Sequence, residues 1–187
     1  MNPNINFLNK LVELQNTYYS NNKKNIIFKE KQKQDCASSI TQQLSLNELL
    51  DRSVFILPNS YKIYFDYNIF KTFAEPSVYN DILNHIMGLT VYCIKTYNTY
   101  EVHMDLNSFT VSAAQRHKTF IQLYNACCLK GDIQFSTILS SMHLYNVPSI
   151  IDSIATILNP FIEPTVKTKI FLHNKVESPS LLAALFE

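Results

Sequence analysis

The chain has 187 residues, 47% of them hydrophobic and 17% charged, with a formal net charge of +1. That composition suits one domain with a real core and excludes a chain disordered throughout, and so small a charge gives no global field suited to nucleic acid. The four cysteines, Cys36, Cys93, Cys127 and Cys128, lack paired CxxC spacing, which excludes a cysteine zinc knuckle and reads as reduced, buried thiols of an intracellular protein.

From the N-terminus, Asn6 to Tyr19 sets Phe7, Leu8, Leu11, Leu14 and Tyr18 at helical spacing. The pattern predicts a helix that caps the core or, alternatively, an arm that docks on a protein partner. It holds no signal-peptide core, and no arginine precedes Arg52, so neither a secretory leader nor a matrix presequence is expected. Asn21 to Gln34 places Lys23, Lys24, Lys29, Lys31 and Lys33 around Ile26, Ile27 and Phe28. A solvated linker is the expectation, with a weak peripheral contact to an anionic membrane as the other reading, since each lysine near such a surface adds about 1 kcal/mol. Ser45 to Arg52 predicts a short capped helix. Residues 1–60 are thus expected to form a helical extension with a Lys-rich linker, and residues 61–187 the domain proper.

Four strands are predicted beyond it: Tyr61 to Asp66, Tyr100 to Leu106, Met142 to Val147 and Lys169 to His173. Helices are predicted from Pro76 to Tyr97, with proline at a tolerated first-turn position, from Thr110 to Leu129, and from Ser149 onward. In the last, Ser149 stands where an N-cap belongs and Asp152 follows three residues later. Ile150, Ile151, Ile154, Ile157, Leu158 and Phe161 then form one apolar stripe, which Pro160 and Pro164 close. Strand and helix alternate, the pattern of a mostly parallel α/β sheet. No apolar run approaches the roughly 18 residues of a membrane span.

Alternate strand residues point to opposite faces. One set is apolar: Ile63, Phe65, Val102, Met104, Leu106, Met142, Leu144, Ile170 and Leu172. The other is mixed: Lys62, Tyr64, Asp66, Glu101, His103, Asp105, His143, Tyr145, Val147, Lys169, Phe171 and His173. Two faces packed dry under helices would both be apolar, so the mixed set is expected to border something wetter. His103, His143 and His173 on three strands would form a zinc site only by converging to about 2.0 to 2.1 Å from one point, and cavity-lining or surface histidines are the expectation instead. With only Gly88 and Gly131 there is no GxSxG elbow, P-loop or GxGxxG motif. No enzyme, metal or cofactor is expected.

Leu144-Tyr-Asn-Val-Pro148, the isoleucine helix, Asn159-Pro-Phe-Ile-Glu-Pro164 and Lys169-Ile-Phe-Leu172 together resemble the C-terminal signature of the CRAL-TRIO lipid-carrier domain. In that family a strand ending Asn-Ala-Pro leads into a helix ending Lys-Pro-Phe-Leu-Asp/Glu-Pro and then a strand opening Lys-Ile. Tyr100 to Leu106 is similar to the family's earlier strand ending Asp-Leu, so the resemblance covers Tyr61 to His173. Ser178 to Glu187 resembles the beginning of the family's post-strand helix but stops short of its Leu-Pro and Gly-Gly segment, which reads as a reduced, divergent member.

The resemblance implies a mostly parallel β-sheet with helices on one face and a gate-like helix over the other, enclosing a lipid cavity. Its expected lining is Tyr64, His103, Tyr145, Ile150, Ile154, Ile157, Phe161, Lys169 and Phe171, with the interior either open or filled. Lys169 matches a lysine of phosphoinositide-binding relatives, whereas Val166 and Thr137 replace their threonine and glutamate. A more hydrophobic ligand is therefore implied, as in retinaldehyde- and tocopherol-binding relatives. Two functions follow: non-enzymatic binding or transfer of a lipid by a soluble or peripherally membrane-associated protein, or a fold that has lost its ligand and serves as an interaction subunit of a membrane-associated or virion assembly.

Overall fold

The computed structural model describes residues 4–22, 27–130 and 132–187. Three helices come first: α1 (Ile5–Asn21), α2 (Lys29–Gln43) and α3 (Leu46–Ser53). The apolar stripe of α1 is spent internally, because Phe7 and Leu11 are buried in the main core with Cys36 and Ile40 of α2. Lys29, Lys31 and Lys33 therefore belong to a helix and not to the expected linker; Lys23, Lys24 and Ile26 lie outside the described residues. The polar composition of α2 hides it, since only Cys36, Ala37 and Ile40 mark its buried face.

A strand that sequence patterning misses, β1 (Val54–Ile56), pairs antiparallel with β2 (Lys62–Asp66), Phe55 opposite Tyr64. The intervening turn uses Pro58 and then Asn59 at φ 54°, a left-handed conformation that asparagine tolerates. Asp66 ends β2 and caps α4 (Tyr67–Phe73), its carboxylate accepting from the Asn68 N–H at 2.9 Å. A 3-10 turn at Pro76–Val78 leads into α5 (Tyr79–Tyr97), which ends at left-handed Asn98 before β3 (Tyr100–Asp105). The helix expected over Thr110 to Leu129 is two, α6 (Val111–Arg116) and α7 (Lys118–Cys128), broken at His117. A short α8 (Phe135–Ile138) precedes β4 (Leu139–Val147). Then come α9 (Ile151–Leu158), a 3-10 turn at Asn159–Phe161, α10 (Pro164–Lys167), β5 (Ile170–Asn174) and α11 (Ser178–Leu185). Ser149 does not cap α9: the cap position is Ile150, without a side-chain bond.

The sheet order is β1-β2-β3-β4-β5, with β2 to β5 mutually parallel. Three successive crossovers join neighbouring parallel strands, and such crossovers are right-handed almost without exception, so their helices share one face. The packing agrees. Ile154 is 2% exposed and lies in one core with Ile63, Phe65, Val102 and Leu139, while α9 packs on α6 and α7. The isoleucine helix is thus part of the layer on the apolar face, and not the lid of the mixed face. The element over the mixed face is α11, whose end brings Phe186 edge-on to Tyr64 with ring centroids 4.9 Å apart.

Removing the buried Ile154 side chain leaves a void in that layer. Ile154→Ala should lower unfolding stability by about 2 to 5 kcal/mol in urea titrations. Ile150→Ala, at a position 47% exposed, should shift it by no more than about 0.5 kcal/mol.

Candidate functional site

Register places Tyr64, His103, His143 and Phe171 directly beside one another across four strands of the mixed face. Tyr145 and His173 extend the row. His103, His143, Tyr145, Phe171 and His173 stack with planes 8° to 19° apart and centroids 4.9 to 6.3 Å apart. Flat rings on neighbouring parallel strands stack because strand spacing sets them about 5 Å apart.

A polar chain runs along the stack. Burial holds the Tyr145 phenol up to about 12, so it is protonated and can donate to His103 Nδ1 at 2.8 Å. That leaves the ring proton of neutral His103 on Nε2, 2.6 Å from Glu101 Oε1 in a short but poorly aligned contact. Burial lowers the His103 pKa against the pull of Glu101, and it lowers that of His143 as well. His143 Nδ1 meets His173 Nε2 at 3.0 Å, and Ser141 Oγ lies 3.1 Å from His143 Nε2. His173 Nδ1 is 3.7 Å from Glu177, at the entry to α11. Beside the stack, Tyr64 is fully buried, and its hydroxyl has no hydrogen-bond partner among the described residues.

At the carboxyl end of the strands a buried knot fixes α11. A register shift in β4 leaves Asn146 at φ 53°, as a bulge residue turned out of the ladder. Its side-chain amide donates to Asp105 Oδ1 at 2.7 Å and its backbone N–H to Ser178 Oγ at 2.7 Å, while the Ser178 hydroxyl donates to Asn174 O at 2.6 Å. Beyond Ser178 the helix is only lightly held: Leu181, Ala183 and Ala184 are exposed, and Leu182, Leu185 and Phe186 half-buried.

The residues expected to line one cavity therefore divide. Tyr64, His103, Tyr145 and Phe171 share the mixed face, Phe171 half exposed near the sheet edge. Ile150, Ile154, Ile157 and Phe161 belong to the opposite layer, where Phe161 receives the Lys118 ammonium over its ring at 5.3 Å. Lys169 turns away from any ligand. Its ammonium donates to the carbonyls of Ser136 and Thr137 at 2.9 Å and to that of Leu139, and three donors are all that a lysine has. His103, His143 and His173 stack instead of converging, and among the described residues no group of three His, Cys, Asp or Glu is arranged around a metal. A cleft lined by Asn4, Asp51, Arg52 and Phe55 reaches the ring face only at Phe55, on β1 beside Tyr64, and does not touch α9. Sequence reading overlooked the parts played by Asn146, Ser178 and Phe186. Asn146 had a signal in the Asn-Val-Pro motif, whereas Ser178 and Phe186 act through contacts that no local pattern marks.

A ring-lined sheet face under a C-terminal helix, with all crossovers packed behind, defines an α/β domain built on a mostly parallel five-stranded sheet. The chain belongs to the CRAL/TRIO domain family, whose model matches residues 81–186, more than half of its length and through α11. Eighteen solved chains match it. One is the crystal structure of Sfh5, with a TM-score of 0.54 and 12% identity over 77% of this chain, a likeness of fold. This chain spans 55% of that one. No curated protein matches.

Two histidines are buried neutral in separate places, His103 in the stack and His117 between Phe70 and Tyr67. Burial, aided by Arg116, pushes His117 down to about 4, and neither of its ring nitrogens has a partner among the described residues. Because these pKa values are depressed on folding, the unfolded chain binds the extra protons between about pH 6.5 and about pH 4. Stability should be full above about pH 6.5 and fall as pH drops, by up to about 1.4 kcal/mol per unit for each histidine. Urea midpoints measured across that range check this, and His117→Phe should remove one proton from the slope.

Proposed function

We propose that this chain binds a lipid or other hydrophobic small molecule, without chemistry, on the ring-lined face of its sheet beneath α11. A lipid site needs an apolar lining, a few placed polar groups and a movable cover. The observation that carries the reading is the Tyr64 hydroxyl, buried without a partner among the described residues beside a row of parallel rings. Leaving such a group unsatisfied costs about 1 to 3 kcal/mol, which a ligand oxygen would recover. The cover is α11, pinned at Ser178 and held at its far end by the Phe186 contact. With Lys169 committed to carbonyls, Val166 in place of a threonine and Thr137 in place of a glutamate, the headgroup is not a phosphoinositide. The ligand is of the more hydrophobic kind.

Native mass spectrometry and lipid extraction of the purified protein should find a bound lipid, and a fluorescent lipid should exchange between vesicles. Phe171→Asp should weaken binding about tenfold, since it puts a charge against the acyl path. A protein that carries no lipid and supports no exchange ends this reading.

A second reading, an interaction subunit that has lost its ligand, is favoured by the solid core around Ile154. It too has a test. Removal of residues 1–35 would take Phe7 and Leu11 out of the core, so surface changes serve better: Phe171→Asp with Val176→Asp, both at exposed positions, should break assembly while folding persists.

A further inference from the structure

The second strongly featured site lies away from the sheet, in a cleft of about 170 Å³ walled by α1, α2, α4 and α6. None of its lining residues is on a strand. Three cations face it, Lys33, Lys71 and Arg116, with Tyr19, Gln34 and Thr72 as polar neighbours. One carboxylate already sits among the cations: Glu30 Oε1 is 3.2 Å from Lys33 Nζ, and its Oε2 accepts from Arg116 Nε at 2.8 Å.

We propose that this cleft binds a phosphate-bearing anion, with Glu30 as the internal carboxylate that holds the place until the ligand enters. Arg116 is the anchor. Its side chain is largely buried, and Glu30 engages only Nε, so among the described residues neither Nη group of the fork has an acceptor. A planar fork of this kind matches phosphate oxygens in pairs. Lys71 stands on the other wall, steadied by Ser108 Oγ at 2.6 Å and Asn68 Oδ1 at 3.3 Å, with a third proton to give. Burial lowers the Lys71 pKa against the pull of Asp66 and Asp105, and a bound anion would favour its charged form. Among the described residues the cleft lining holds three cations and no carboxylate; Glu30 pairs with two of them from beside it, and Asp66 and Asp105 act on Lys71. Glu30 lies in the first turn of α2 and is more than half exposed, so it can swing out without disturbing the core.

Titration calorimetry with pyrophosphate at fixed ionic strength tests the site on the full chain. Binding should weaken about tenfold or more in Arg116→Gln and several-fold in Lys33→Gln, and should tighten several-fold in Glu30→Gln, which removes the competing charge. Phosphatidylcholine vesicles with and without phosphatidic acid separate the sources of the phosphate. Retention on the acidic vesicles that Arg116→Gln abolishes identifies a lipid headgroup, and pyrophosphate binding without retention identifies a soluble ester. Should Arg116→Gln fail to fold, Lys33→Gln, at a half-buried position, carries the comparison. No heat with pyrophosphate, a Kd unchanged by both cation substitutions, or weaker binding in Glu30→Gln overturns the proposal. Phe171→Asp, on the ring face, should leave pyrophosphate binding as it is, so failure of the lipid reading and failure of this one are separable.

Discussion

Everything in this molecule depends on the handedness of three consecutive crossovers. Parallel strands laid down in the order β2, β3, β4, β5 send every connecting helix to the same side when each turn of chain is right-handed. One face of the sheet is thereby filled by α5, α6, α7 and α9 around a core of Ile63, Val102 and Ile154. The opposite face receives no connection between strands, so only a segment outside them can cover it. That segment is α11, anchored at Ser178 and meeting the sheet again where Phe186 lies edge-on to Tyr64.

The uncovered face solves its own problem with flat rings. Charged side chains would be costly once α11 lies over them, and aliphatic ones would favour a tight, permanent seal. Histidine, tyrosine and phenylalanine present apolar faces to one another and polar edges outward, so the face is dry between the rings and able to hydrogen-bond along their rims. Tyr145 satisfies His103 Nδ1 locally, while among the described residues the Tyr64 hydroxyl has no partner and His103 Nε2 has only the poorly aligned Glu101 contact. Burial lowers the pKa of His103 and of His143 within the same arrangement, and His143 Nδ1 meets His173 Nε2 at 3.0 Å.

The N-terminal helices complete the core. Phe7, Leu11, Cys36 and Ile40 join the residues of the sheet and of α4, and β1 pairs directly with β2. Where these helices meet α4 and α6, the polar sides of four elements converge and Lys33, Lys71 and Arg116 line one cleft, two of them paired with Glu30. Covering a sheet edge with helices whose outer faces are polar produces such clefts as a geometric consequence. Here the charges that gather in it are predominantly positive.

Sequence alone determined the alternation of strand and helix, the four parallel strands to within a few residues, and the division of each strand into an apolar and a mixed face. Period-two alternation is local and survives without knowledge of partners. The compound motif from Leu144 to Leu172 pointed to the family for the same reason, being a contiguous strand, turn and helix. What the sequence left undetermined was which layer the isoleucine stripe joins, because an apolar helix face is identical whether it closes a cavity or fills a core. Only the tertiary structure, through crossover handedness and strand register, put Ile154 behind the sheet, spent the Lys169 ammonium on the end of α8 and aligned five rings from three strands. Those outcomes depend on residues dozens of positions apart, and no local pattern of side chains encodes such distances.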